Sequence, residues 1–178
     1  MGDHPLSTKS LWVLRHAKAA GHEGDDHSRP LTARGRRQAA EVGEQIASTP
    51  VAGGRGPELV LSSSARRARQ TAELVVAELE PGVELVVERA LYGAAADDVV
   101  EIIRGLGADT SSVMVVGHNP TVHELALGLL DGGDVAGRAR LEHGFPTAAL
   151  AAVAVPVEAW TALSMGTATL LELRTSRA

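Results

Sequence analysis

Leu11-Trp-Val-Leu14 runs four apolar residues straight into Arg15 and His16. An unbroken apolar run bounded by polar residues predicts a strand buried on both faces. The pattern recurs. Glu58-Leu-Val-Leu61 leads through Ser62, Ser63 and Ser64 toward Arg66, Arg67 and Arg69. Ser112-Val-Met-Val-Val-Gly117 ends in His118-Asn-Pro120. Segments of helical spacing separate these runs, and the alternation predicts a three-layer α/β/α sandwich with a mainly parallel central sheet. In open sheets of this kind ligands bind at the carboxyl ends of the strands.

The intervening segments follow from local chemistry. Ala17 to Arg29 is polar and rich in Gly, His and Asp, which predicts a loop at the rim of any pocket there. Thr32 is a candidate N-cap for a helix whose inner face carries Ala39, Val42, Gly43 and Ile46. Thr49 to Pro57 predicts a surface turn. The three serines offer caps to a helix over Ala65 to Leu79, with Ala68, Ala72, Val75, Val76 and Leu79 inward. Val83 to Val87, broken by Glu84, predicts an edge strand. A short helix follows over Asp97 to Leu106, with Val99, Ile102, Ile103 and Leu106 as its stripe. Pro120 suits a first helical turn, ahead of a face made by Val122, Leu125, Ala126 and Leu129. Asp131 to Gly144 predicts a long loop. Thr147 to Val155 and Thr167 to Leu173 predict two final strands that form a hairpin-like end to the sheet, with Trp160 between them. One domain over residues 1–178 is the simplest organisation.

Composition narrows the class of function. A net charge of −5 argues against a nucleic-acid partner. The chain has no cysteine, which excludes disulfide and thiol chemistry. Met1-Gly-Asp-His-Pro5 lacks the order of a signal peptide, and no apolar run approaches the ~20 residues of a membrane span, so a soluble cytoplasmic protein is expected. No glycine-rich nucleotide motif follows any strand, and no organic cofactor is expected.

If the three apolar strands are parallel neighbours, two imidazoles and at least two guanidiniums converge on one small volume. Such a cluster is costly when empty, through like-charge repulsion and desolvation. A bound dianion relieves both. Arg15 and Arg67 suit the equatorial oxygens of a phosphoryl group in transfer. His16 suits attack on phosphorus through a ring nitrogen, and His118 suits donation to the phosphoryl oxygens. The cationic side chains do the electrostatic work, so no metal is required.

Leu14-Arg-His-Ala17 resembles the Arg-His-Gly signature of the histidine phosphatase superfamily, the phosphoglycerate mutase-like fold. The resemblance extends through Arg29-Pro-Leu-Thr32 with Gly35, Arg67-Ala-Arg-Gln-Thr71, Gly117-His-Asn-Pro120 and Phe145-Pro-Thr147. This order is most similar to the SixA-type branch of compact bacterial phosphohistidine phosphatases. Ala17 departs from the signature glycine, and the following loop lacks the asparagine typical of the mutases. The resemblance implies that His16 is the nucleophile, Arg15 and Arg67 are phosphate ligands and His118 is the second histidine. It also implies a histidine-phosphorylated signalling protein as partner.

Arg29 and Asn119 are candidate substrate-binding residues, although Arg29 equally suits pinning the loop to a helix. Glu88 is the nearest candidate for a general acid, in surroundings that do not match the acid motif of relatives. Cleavage of a P–N bond need not use that acid, because imidazole leaves as a neutral ring once protonated.

Plainer readings are weighed beside these. Of the 17 basic residues all but two are arginine, so arginine clusters arise cheaply. Arg66 and Arg69 read as solvated helix residues, and Arg34, Arg36 and Arg37 as a solvent face. His4, His22 and His27 read as exposed, and His22 and His27 with Glu23, Asp25 and Asp26 fit no metal-ligand spacing. His143 is a weak candidate for lining the pocket. Trp12 and Trp160 read as packing. Two other functions compete with a phosphohistidine phosphatase: a small-molecule phosphomonoesterase with the same site, and a non-catalytic phosphate-binding module.

Overall fold

The computed structural model describes residues 8–21, 24–49 and 56–176. Most of the predicted turn at 49–57, together with His4, His22 and Glu23, lies outside these residues. The strands are β1 (Lys9–Arg15), β2 (Leu59–Ser63), β3 (Glu84–Glu88), β4 (Ser112–Gly117), β5 (Leu130–Gly133), β6 (Leu150–Val155) and β7 (Ala168–Arg174). The helices are α1 (Ala33–Ser48), α2 (Arg66–Ala77), α3 (Ala96–Arg104), α4 (Thr121–Gly128) and α5 (Val135–His143). Short 3-10 turns occupy Asp26–Ser28, Arg89–Leu91 and Trp160–Ala162.

The strands form one sheet in the order β3-β2-β4-β1-β6-β7-β5. β1, β2, β3 and β4 pair in parallel, with Arg15 in register with Gly117 and Ser62 with Val116. The three apolar runs are therefore adjacent, and their carboxyl ends lie side by side. The expectation of a mainly parallel sheet needs correction, because β6 runs antiparallel to both β1 and β7 and makes the sheet mixed. β6 and β7 form the hairpin-like end expected of the last two apolar runs, and β5 pairs with β7 in parallel.

Side chains alternate across the pleat. Leu11, Val13, Val113 and Val115 enter one core with Val99, Ile103, Leu125 and Trp160. Trp12, Leu14, Val60, Met114 and Val116 enter the other, with Ala39, Val42, Ala68 and Val75. Helices thus cover both faces, and burying each Val or Leu of these strands contributes about 1.5–3 kcal/mol. Trp12 and Trp160 are both packing residues, as expected, with Trp12 Nε1 donating to Ser112 Oγ and Trp160 Nε1 to the Thr110 carbonyl.

Thr32 caps α1 by accepting from the Gly35 amide. The serines before α2 do not act as caps. Ala65 holds the N-cap position without a side-chain bond, because β2 continues through Ser63 and the hydroxyls of Ser63 and Ser64 meet imidazoles instead. Asp131 to Gly144 is not a long loop: it contains the end of β5 and all of α5. β5 is held by backbone pairing to β7 and passes through Gly133 at φ 108, where a Cβ would lie 2.1 Å from the Leu170 carbonyl oxygen. α5 buries only Gly137 and Leu141, so neither element leaves a clear apolar period.

Gly35 sits inside α1 against the backbone of Lys18, where a Cβ would lie 2.0 Å from the carbonyl oxygen. That carbonyl also accepts from the Thr32 amide. Helix propensity alone makes Gly35→Ala stabilising by about 1 kcal/mol, but the clash with fixed backbone outweighs it. The expected outcome is a net loss of about 2 kcal/mol, read from the urea midpoint. A stabilised variant would contradict the close approach.

Candidate active site

β1 carries Arg15 to its last position and His16 just beyond it. The His16 amide donates to the Gly117 carbonyl at 3.0 Å, tying the ends of β1 and β4 together. His118 follows on β4, and the two imidazole centroids lie 5.1 Å apart. Arg67, in the first turn of α2, is buried to 6% exposure. The reversal of β6 brings a further segment to this edge. The Phe145 carbonyl accepts from Arg15 Nη1 and from Asn119 Nδ2, each at 2.9 Å.

His16 has a defined tautomer. Its Nδ1–H donates to the Ala17 carbonyl at 2.8 Å, which leaves Nε2 with a free lone pair while the ring is neutral. Burial pushes the ring pKa down to about 4, with Arg67, Arg15 and Arg29 acting in the same direction against the Ala17 bond. His118 is pushed down to about 3 by burial, then by His16 and Arg67. Both rings are therefore neutral at neutral pH. His118 Nε2 pairs with Ser63 Oγ at 2.8 Å, so a neutral ring that accepts the Ser63 proton carries its own hydrogen on Nδ1.

Four buried polar atoms have no hydrogen-bond partner among the described residues: Arg15 Nε, Arg67 Nε, His118 Nδ1 and Asn119 Oδ1. Buried groups of this kind are rare in folded proteins, and each calls for a ligand or a function. All four belong to residues that the sequence singles out.

Asp26 supplies the counter-charge. Arg67 Nη1 donates to the Asp26 carbonyl at 2.7 Å and Nη2 to its carboxylate at 3.0 Å. Arg29 Nη1 and the Tyr92 hydroxyl donate to the same carboxylate. Hydrogen bonds from Arg29, Tyr92 and Arg67 hold this carboxyl well below the usual carboxylate range. Arg29 also donates from Nε to the Ala20 carbonyl. Arg29 thus ties the loop to itself, and its charge also reaches His16. The loop takes part in the site as its rim, and Thr71 Oγ1 fixes the start by accepting from the Ala17 amide.

The remaining candidates fall further out. Glu88 accepts from the Ala90 amide at 2.8 Å as the cap of a 3-10 turn. His27 is half-buried rather than exposed, with Nε2 on Ser64 Oγ at 2.9 Å and its ring edge-on to Tyr92. His143 ends α5 and lines a cavity with Arg15 and Asn119, but its Nδ1 donates to the Ala139 carbonyl. Arg66, Arg69, Arg34, Arg36 and Arg37 are exposed, as expected. Among the described residues no group of three His, Cys, Asp or Glu is placed to hold a metal ion, and no helix is long and apolar enough to cross a membrane.

Asp26, Ser63 and Tyr92 were not identified as site residues from the sequence. Asp26 lies three residues before Arg29 in a segment that reads as a solvated loop. Tyr92 is the sole tyrosine of the chain, and that rarity was the available signal.

The ring geometry sets a measurable protonation state. Nitrogen-detected NMR of His16 should show the Nδ1–H tautomer and a titration midpoint near 4, against 6.5 for a free ring. Because both rings bind protons more readily in the unfolded chain, stability should fall as pH drops from 6.5 toward 4. A His16 midpoint near 6.5 would contradict the burial.

Comparison with known proteins agrees with this geometry. Residues 11–94 match the model of the histidine phosphatase superfamily, branch 1. An uncharacterized protein of Mycobacterium tuberculosis is 36% identical over 170 residues, covering 92% of this chain and 100% of the relative. A solved structure that bears the SixA name, from Nakamurella multipartitia, superposes with a TM-score of 0.82 at 27% identity, covering 98% of this chain and 99% of that one. Its counterpart from Agrobacterium tumefaciens gives 0.77 at 28% identity, with 94% and 98% covered. The chain belongs to the histidine phosphatase superfamily, in its SixA-type branch.

Proposed function

We propose that the protein is a phosphatase that works through a covalent phosphohistidine on His16 and acts on phosphohistidine carried by a polypeptide. The observation that supports it most is the neutral His16 ring, with Nδ1 tied to the Ala17 carbonyl and Nε2 left as a nucleophile beside the buried Arg67 and the half-buried Arg15.

In the first step Nε2 of His16 attacks phosphorus as the bond to the leaving group breaks. The leaving atom keeps the bonding electron pair and takes a proton. Arg15, Arg67 and the Nδ1–H of His118 stabilise the charge spread over the equatorial oxygens. In the second step a water oxygen attacks phosphorus and the P–Nε2 bond breaks. Inorganic phosphate leaves and His16 returns to its neutral form. These steps need no metal ion.

The leaving group favours an imidazole. The carboxylate bonded directly to the site is that of Asp26, and its cationic partners keep it ionised, so it has no proton to give. Glu88 is engaged with a backbone amide. An alkoxide leaves poorly without an acid, whereas an imidazole protonated from solvent leaves as a neutral ring. This supports phosphoramidates over alkyl phosphomonoesters.

Two tests bear on the proposal. Wild-type protein given labelled substrate and quenched should carry acid-labile phosphoryl label, and His16→Ala should carry none and show no turnover. Binding without label or turnover would instead indicate a phosphate-binding module. Arg67→Ala should lower kcat/KM on free phosphohistidine by about 100-fold or more, while Arg69→Ala should leave it within about 3-fold, as expected for an exposed surface residue. Hydrolysis of alkyl phosphates faster than phosphohistidine would overturn the assignment of substrate.

A further inference from the structure

The mouth of the site opens on one side toward the free edge of the sheet. There a cavity of about 460 Å³ is lined by His27, Ser64, Arg69, Val87, Arg89 and Tyr92. Tyr92 joins it to the catalytic residues: its ring meets that of His118 edge-on at 5.8 Å and that of His27 at 4.9 Å. Val87 and Tyr92 are 47% and 40% exposed, two of the three large apolar side chains exposed among the described residues. Arg69 and Arg89 are exposed, and neither forms an ion pair among the described residues.

The hydrogen bonds of the nearby carboxylates go to groups other than these arginines. Asp25 accepts from the His27 and Ser28 amides, Asp26 is held by Arg29, Arg67 and Tyr92, and Glu88 caps its own turn. A chain of net charge −5 thus presents a rim of two arginines, without an ion-pair partner among the described residues, around an apolar centre, beside its own catalytic histidines. Exposed aromatic and arginine side chains around an apolar centre are the composition of a protein-binding hot spot. A small-ligand pocket would bury most of its ligand, and these side chains are too exposed for that.

The geometry points to this rim as the docking surface for an acidic polypeptide segment that presents its phosphohistidine to His16, with Val87 and Tyr92 covering an apolar residue of the partner and Arg69 and Arg89 facing its carboxylates. The inference rests on the phosphatase reading of the site and adds the chemistry of the partner. Complementary charge at a rim acts chiefly on association, so its effect falls on kcat/KM and is weakened by salt.

The test uses two synthetic peptides of equal length, each phosphorylated on a single histidine with phosphoramidate. One has Asp, Glu and Leu flanking the histidine, and the other has Lys in place of the acids. Free phosphohistidine and p-nitrophenyl phosphate serve as small substrates. Wild type should prefer the acidic peptide by about 10-fold or more in kcat/KM at low salt. The double variant Arg69→Glu/Arg89→Glu should lose or reverse that preference with turnover of the small substrates unchanged.

A wild type without the preference, a preference that survives the double variant, or equal losses on peptides and small substrates would overturn the docking surface. So would turnover of small substrates only, which leaves the phosphatase reading standing. Failure on every substrate would sink both.

Discussion

Two imidazole rings and two guanidinium groups must be kept close together and largely away from bulk water, and the rest of the molecule is built around that demand. Desolvation resolves most of the conflict. It drives both rings to the neutral state, so mutual repulsion is left mainly between Arg15 and Arg67. Asp26 then offsets Arg67 with one carboxylate that three donors hold ionised. What remains is a neutral nucleophile in a cationic frame, the charge balance that the proposed chemistry on a phosphoryl dianion requires.

The scaffold supplies rigidity where that balance is needed. His16 and His118 follow adjacent strands whose register is fixed by buried side chains on both faces. Arg67 sits in the first turn of a helix that packs on the same strands. Asp26 and Tyr92 come from turn segments, and they meet each other through one hydrogen bond. The loop from Ala17 to Arg29 is anchored at its start by Thr71 and near its end by Arg67 through Asp26, and it is closed where the Thr32 amide beyond it donates to the Lys18 carbonyl.

The parallel core could be read from the sequence because strands buried on both faces leave continuous apolar runs, and the runs at Leu11, Val60 and Val113 end in the residues that converge. The edge strand β3 could be read from Glu84. β5 and α5 could not, since one is made by backbone pairing through glycines and the other buries a single large side chain. The direction of β6 relative to β1 was hidden for a different reason: an apolar strand looks alike in either orientation. Within the site, residues at strand ends were legible. Partners contributed by side chains from distant segments, such as Ser63 for His118 and Tyr92 for Asp26, have no local signature.

The shared acceptor at Phe145 has a consequence of its own. One carbonyl oxygen takes hydrogen bonds from both Arg15 and Asn119, so the segment entering β6 serves as a common fastener for the first and fourth strands. Variation in the connection from α5 would thus be transmitted to both sides of the hollow together. Sequence drift in that connection is constrained by a peptide group whose own side chain takes no part in either bond.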